Sequence, residues 1–301
     1  MKQVIMRQYY ERELKVNKYV TILIPCYNGE KYLSDLLKSI EKQTYRYLQV
    51  ILIDDGSTDN SKNVFFNWVS SINDKKIKPE YHYINHSNQS AAINEGLKYV
   101  KGFYLTWVDA DDVLEKDAIY EKVLFLTRED YQIVYNNATY YSEDLKEPNA
   151  LVFNYKINED YLFEYVFKGY LPCLAGIFMM KVDALKKCYP TMKVPESNAG
   201  QNLQLLLPPL SYFKCGYIDK SLLKYRKHQE SHSNRKRTFL ESKKRIEDFY
   251  NLLIELIPYC ECSDDYRNLA KEYFKRENER LLKETANIGR KEYENRNCNI
   301  L

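Results

Sequence analysis

Residues 20–55 read VTILIPCYNGEKYLSDLLKSIEKQTYRYLQVILIDD, and the change of period inside that stretch decides the fold. Val20–Pro25 is a short β-rich run closed by proline, and Val50–Asp54 is a second run of the same kind. Between them Leu33, Leu36, Leu37 and Ile40 recur at helical spacing across residues 31–43. Strand, helix, strand is a βαβ unit, whose strands are expected to run parallel and to be buried on both faces.

The alternation continues downstream. Thr58-Asp59-Asn60-Ser61 offers caps for a helix through VFFNWV, and Glu80–Asn85 can form a third strand. Residues 90–101 read as a helix capped by Ser90, and Phe103–Val108 as a fourth strand. Strands alternating with helices over the first 120 residues predict an open α/β sheet, in which ligands collect outside the carboxyl ends of the strands. Three polar clusters fall at those ends: Pro25-Cys26-Tyr27-Asn28, Asp54-Asp55-Gly56-Ser57 and Asp109-Ala110-Asp111-Asp112. After residue 130 the pattern loosens, with strands expected at Ile133–Tyr135 and Gly176–Met180 and a helix across 159–167. Beyond residue 235 the chain is charged and helical in pattern.

The bulk numbers narrow the function classes. A chain of 301 residues with 45% hydrophobic content builds one large domain or two small ones. A net charge of +3 argues against a nucleic-acid scaffold. Residues 1–16 lack the apolar core of a signal peptide, and the apolar run 170–180 is interrupted by Pro172 and falls short of the ~20 residues a membrane span needs. Seven cysteines without framework spacing read as reduced thiols in a cytoplasmic protein.

The clusters carry the chemistry. Carboxylates about 4 Å apart repel by about 4 kcal/mol at an effective dielectric near 20, so three in four positions need an offset. A hard divalent cation, Mn²⁺ or Mg²⁺, supplies one and can also bridge a diphosphate. The alternative is a hydrated turn in which Asp111 or Asp112 caps a helix beginning near Val113. Asp55 can accept from the N3–H of a uracil or thymine ring or hold a ribose, the alternative being an ordinary Asp-Gly turn before a helix, and Tyr27 offers a face for a flat base.

Taken in order, PCYNGEKYLSDLLKSIEKQT, VILIDDGSTDNS, NQSAAINEGL and YLTWVDADD resemble the motifs of the family 2 glycosyltransferases, closely over residues 18–120 and loosely over 120–235. The resemblance implies the GT-A fold, a mixed, seven-stranded relative of the Rossmann sheet with helices on both faces, here followed by a helical C-terminal extension. It divides the chain into an N-terminal extension (1–17), a nucleotide-sugar-binding half (18–120), an acceptor-binding half (121–234) and a helical tail (235–301). It implies an inverting transfer of a hexosyl or N-acetylhexosaminyl group from a nucleotide sugar, a UDP-sugar first, to a glycan or lipid-linked acceptor in surface-polysaccharide synthesis. Pro25, Tyr27, Asn28 and Asp55 would surround the base, with Asn88 and Ser90 as neutral polar contacts. Asp109 would touch the ribose or a metal-bound water, Asp111 would ligate the metal, and His228 would reach metal or diphosphate, with Arg226 and Lys227 beside the phosphates.

Two positions depart from the family pattern. Ile93 stands where the family carries an arginine. At the usual base, Gln201 and Asn202 replace an acidic pair, and a neutral amide takes no proton near pH 7. Glu196 is the nearest carboxylate and the candidate base, which leaves Gln201 and Asn202 to orient acceptor hydroxyls. The rival readings are a catalytically impaired binding or scaffold protein, which the missing acid favours, and a nucleotidyltransferase, which the absence of a Gly-rich basic loop after the first strand opposes. The tail, with Lys243-Lys244-Arg245, suits packing on the domain or a homodimer contact, and secondarily a peripheral contact with the inner face of a membrane.

Overall fold

The computed structural model describes residues 18–153, 162–200, 202–228, 237–261 and 265–298. The expected βαβ unit is present as β1 (Val20–Cys26), α1 (Leu33–Glu41) and β2 (Leu48–Asp55), and every residue of both strands is buried. The chain proceeds through α2 (Ser61–Ser71), β3 (Ile77–Ile84), α3 (Gln89–Leu97) and β4 (Tyr104–Trp107). Strands β3-β2-β1-β4 lie side by side and parallel. The chain therefore steps outward from β1 to β3 and returns to the other side of β1. That reversal opens a crevice beyond the carboxyl ends of β1 and β4.

The second half follows as β5 (Val113–Leu114), α4 (Ala118–Arg128), β6 (Ile133–Tyr141), β7 (Pro148–Leu151), α5 (Leu162–Phe167), β8 (Phe178–Lys181), α6 (Val182–Cys188), α7 (Asn202–Tyr212) and β9 (Cys215–Arg226). Strand β8 runs antiparallel to both β4 and β6, while β9 runs parallel to β6. The carboxyl ends of β4, β6 and β9 consequently reach the same edge as those of β1–β3. The sheet is mixed, as the resemblance implies, but the described residues contribute nine strands rather than seven. No helix begins near Val113. The two-residue β5 pairs with β9 there and α4 starts only at Ala118, so neither Asp111 nor Asp112 is a helix cap. Ser90 is likewise not the cap of α3: Asn88 is, its side chain accepting from Ala91 N.

Helix α7 contains Pro208 and Pro209. A proline has no N–H, so Pro208 leaves the carbonyl four residues back, that of Gln204, without its helical donor. The buried Tyr189 hydroxyl donates to that carbonyl at 2.9 Å. Another polar group under the sheet is Lys122 of α4, fully buried, whose ammonium donates to Gly176 O at 2.5 Å. Burial pushes its pKa down to about 7.

The tail forms α8 (Phe239–Leu256), opened by a reciprocal Thr238–Glu241 capping box, and α9 (Asp265–Cys298). Tyr266 packs edge-on against Phe163 at 5.1 Å and beside Phe167 at 5.4 Å, and Arg276 donates to Lys168 O at 2.6 Å. Helix α9 is thus packed against α5 and the turn after it. No helix among the described residues is long and apolar enough to cross a membrane.

Tyr189→Phe removes the hydrogen bond to a buried, proline-orphaned carbonyl and should cost about 1–3 kcal/mol, read from urea unfolding. Lys122 gives a pH signature. Its folded pKa lies below the unfolded value, so between pH 7 and 10 the unfolded chain binds the extra proton and stability rises with pH. Relative to Lys122→Met, the wild type should gain up to about 1.4 kcal/mol per pH unit across that window. Parallel pH–stability curves for the two proteins would show the amine to be solvated.

Candidate active site

The rim of the crevice is built from two loops that fasten each other. Asn28, at φ +50°, donates its N–H to Ser57 Oγ at 2.9 Å and accepts from Thr58 N at 2.8 Å through Oδ1. Glu30 N donates to Asp59 Oδ2, while Glu30 accepts from Asn60 N and from Asn60 Nδ2. Gly29 N donates to Ser61 Oγ at 2.7 Å. Asn28 is thus a clamp between the loops after β1 and β2, and Pro25 is buried within β1 opposite Ile53.

Asp55 ends β2 almost fully buried. Its Oδ1 accepts from Ser87 N at 2.9 Å, and its Oδ2 lies 3.0 Å from Nδ1 of His86. Burial raises the Asp55 pKa, while the Ser87 N–H and His86 act against that rise. Tyr27, half exposed, has its ring stacked on His86 at 4.0 Å and 20°. His86 is a site residue that the motifs do not flag. Its one sequence signal is position: β3 pairs with β2 through Asp55↔Ile84, so a residue two places beyond Ile84 stands beside Asp55.

The acidic cluster lies at the end of β4. Asp109, Asp111 and Asp112 each bring a carboxylate oxygen within 4.8 Å of the others. Asp112 is the buried member, and no local sequence signal marks it as a ligand rather than a cap. Its Oδ1 accepts from Arg226 N at 3.0 Å, and its Oδ2 is buried with no partner among the described residues. Burial first, then the charges of Asp111 and Asp109, raise its pKa well above the usual carboxylate range. His228 Nε2 lies 2.8 Å from Asp111 Oδ2 with the ring tilted on Tyr32 at 4.7 Å, so His228 does join the acidic edge. Gln89 Nε2 donates to Asp109 Oδ1 at 3.2 Å.

Several expected ligand contacts are instead spent within the chain. Arg226 is 3% exposed, and its guanidinium donates to Asp111 O, to Glu143 O and to Asp35 Oδ2 while lying over the Tyr32 ring. Its place is behind the acidic edge, where it braces the main chain. Lys227 carries its ammonium 3.8 Å from the Tyr140 ring centroid. Ser90 is fully buried and bridges Asn88 Oδ1 and Ser197, and Asn88 Oδ1 is occupied by Ala91 N and that same hydroxyl. Asn202 accepts from the Trp107 indole N–H and donates to Cys173 O, both at 2.6 Å. Both ends of its amide are thus already engaged within the chain. Gln201 lies outside the described residues.

Glu196 is exposed on a loop that α3 holds in place. Buried Asn94 exchanges hydrogen bonds with Val194 N and O at 2.8 and 2.9 Å and reaches Glu196 Oε1 at 3.3 Å. The same helix carries Gln89, on Asp109, and Ser90, on Ser197. Beside Tyr32 and Arg226 lies an open cavity of about 570 Å³, lined also by Lys31, Ser142, Glu143 and Asp144.

Replacing Arg226 with Met should lower stability by about 2–3 kcal/mol, because the part-buried carbonyls of Asp111 and Glu143 lose a charged donor. A phosphate-binding arginine would behave the other way, leaving unfolding unchanged while weakening nucleotide.

Comparison with known proteins agrees with this architecture. Two Streptococcus pneumoniae (serotype 4) proteins are similar over part of their length. Glycosyltransferase GlyG is 32% identical over 134 residues, 44% of this chain and 43% of that protein. Glycosyltransferase GlyA is 37% identical over 129 residues, 42% of this chain and 17% of that protein. The chain thus spans less than half the length of either relative. Among solved structures, Staphylococcus aureus TarS (residues 1–349) with UDP-GlcNAc superposes with a TM-score of 0.60 at 17% identity, covering 86% of this chain and 72% of that one. The Pyrobaculum calidifontis mannosyltransferase PcManGT with GDP-Man and Mn²⁺ gives 0.56 at 14%, covering 89% and 76%. These likenesses establish the shared fold. The model of the family described as glycosyl transferase family 2 matches residues 21–189, more than half of the chain, and the protein belongs to that family.

Proposed function

We propose that the chain is a metal-dependent, inverting glycosyltransferase that moves a hexosyl or N-acetylhexosaminyl group from a nucleotide sugar, a UDP-sugar first, to a glycan or lipid-linked acceptor in surface-polysaccharide synthesis. The observation that carries this reading is the acidic edge: three carboxylates with oxygens within 4.8 Å of one another, on the rim that also bears Tyr27 and Asp55. The residues suit a divalent cation. The donors are hard oxygens, and Asp112 Oδ2 is buried without a partner among the described residues, a state that costs free energy unless a cation or proton meets it. Asp109, Asp111 and Asp112 would hold Mn²⁺ or Mg²⁺, with His228 against Asp111. A bound ion of this kind supplies positive charge that offsets a diphosphate and its departure. The bound states of the structural relatives lend support, since TarS carries UDP-GlcNAc and PcManGT carries GDP-Man with Mn²⁺.

The chain's own residues divide the remaining work. Asp55 and Tyr27 receive the base, and the mutually fastened rim loops keep that pocket in shape. Glu196 takes the proton from the acceptor hydroxyl as its oxygen attacks the anomeric carbon, and the nucleoside diphosphate leaves from the opposite face. Its support is positional: Asn94 and Ser90 tie its loop to α3, whose Gln89 touches Asp109. Cations lining the open cavity are already paired, Lys31 with Glu143 at 2.5 Å and Arg226 with Asp35 at 2.7 Å. That pairing suits a neutral acceptor better than an anionic one.

Asn202 favours a second reading, a nucleotide-sugar-binding protein without transfer, because the position usually filled by the acid holds an amide locked between Trp107 and Cys173. Calorimetry with UDP and Mn²⁺, followed by donor turnover, separates the two. Asp111→Ala should abolish Mn²⁺-dependent UDP binding. Glu196→Gln should leave that binding intact and lower transfer about 10²–10⁴-fold, the usual contribution of a general base. Binding by wild type with no hydrolysis or transfer selects the second reading, and unchanged UDP–Mn²⁺ affinity in Asp111→Ala sinks the metal site.

A further inference from the structure

We propose that the His86 ring occupies, in the nucleotide-free chain, the volume that a nucleobase takes, and that it is displaced when the nucleotide binds. The inference rests on the nucleotide-sugar reading above and adds an internal competitor to it. Its basis is the way His86 meets the two residues assigned to the base. The ring lies parallel to Tyr27 at 4.0 Å, the offset-stacked distance at which a pyrimidine would lie. Its Nδ1 is 3.0 Å from Asp55 Oδ2 and 2.9 Å from Asp55 O. A planar ring stacked on Tyr27 with an N–H directed at Asp55 is the same pattern that a uracil N3–H would make, so the two rings compete for one place.

The surroundings allow the ring to leave without disturbing the loop that carries it. His86 has 53% of its side chain exposed, so rotation about its side-chain bonds moves it into solvent and breaks no core contact. The backbone is held separately. Ser87 N donates to Asp55 Oδ1, the carboxylate oxygen that the ring does not use. Gly56, at φ +75°, lets the loop after β2 approach so closely that a Cβ there would stand 2.7 Å from His86 N. Asn88 then caps α3 through Ala91 N. Backbone on both sides of the ring is therefore held by contacts other than those of the ring.

A competitor of this kind lowers apparent affinity by the fraction of time the pocket is open. With the ring out about one tenth of the time, the apparent Kd for UDP is about tenfold weaker than the intrinsic one. It has no bearing on a ligand that touches the acidic edge alone.

Calorimetry of UDP and of inorganic pyrophosphate, each with Mn²⁺, on wild type and His86→Ala makes the test. The expected result is UDP bound about tenfold tighter by His86→Ala with pyrophosphate unchanged. Unchanged pyrophosphate also shows that the variant retains a folded acidic edge. In proton NMR of the wild type, cross-peaks between the Tyr27 and His86 rings should be present without ligand and vanish at saturating UDP. Equal or weaker UDP binding by His86→Ala, with pyrophosphate unchanged, overturns the inference and makes His86 a base contact or a bystander. A parallel shift in both ligands assigns the effect to the loop and overturns it as well. If neither protein binds UDP or GDP while pyrophosphate binds, the nucleotide reading fails and this inference falls with it.

Discussion

Three carboxylates share one strand end, and their mutual repulsion is the constraint around which the working edge of this protein is organised. Exposure to water is the ordinary remedy for crowded charge, yet Asp112 is buried. The chain answers with fixed positive partners and dipoles brought from far along the sequence: Arg226 N on Asp112, the Arg226 guanidinium on the Asp111 carbonyl, Gln89 on Asp109 and His228 on Asp111. Arg226 is buried only because Asp35, Glu143 and Tyr32 complete its surroundings. Local repulsion is thereby converted into long-range order, for each of these contacts closes a loop of tens of residues.

The topology makes such convergence achievable. Parallel β1–β4 bring the clusters after β1, β2 and β4 to one edge, and the antiparallel β8 reverses the chain so that β6 and β9 end there too. Arg226 and His228 reach the acids because β9 points at them. Glu143 reaches Lys31 and Tyr32, more than a hundred residues away in sequence, because β6 ends on the same side. One reversal of direction in the middle of the sheet thus recruits the second half of the chain to a site that the first half begins.

Legibility in the sequence followed the range of the interactions. Strands β1 and β2 are near-continuous apolar runs, and α1 repeats at helical spacing, so local pattern suffices for both. The placement of Asp55, Asp109 and Asp111 at strand ends needed only that pattern and a rule about parallel sheets. Strand β9 did not announce itself, because CGYIDKSLLKYR mixes charge with apolar residues along a partly exposed strand. Arg226 and Asn202 looked like ligand-facing groups, yet their partners sit 115 and 95 residues away, and no window of sequence reveals that they are occupied. Asp112 looked like a cap because helix and short strand both follow a polar turn. Its buried oxygen becomes visible only once β9 lies across it.

The reciprocal fastening of the loops after β1 and β2 has a thermodynamic consequence. Asn28, Glu30, Ser57, Asp59 and Asn60 exchange both backbone and side-chain hydrogen bonds, so the conformational entropy of those segments is given up when the chain folds. A ligand settling on this rim has no disordered backbone to immobilise there. The heat-capacity change of its association accordingly reports the surface covered, free of any contribution from these two loops becoming ordered.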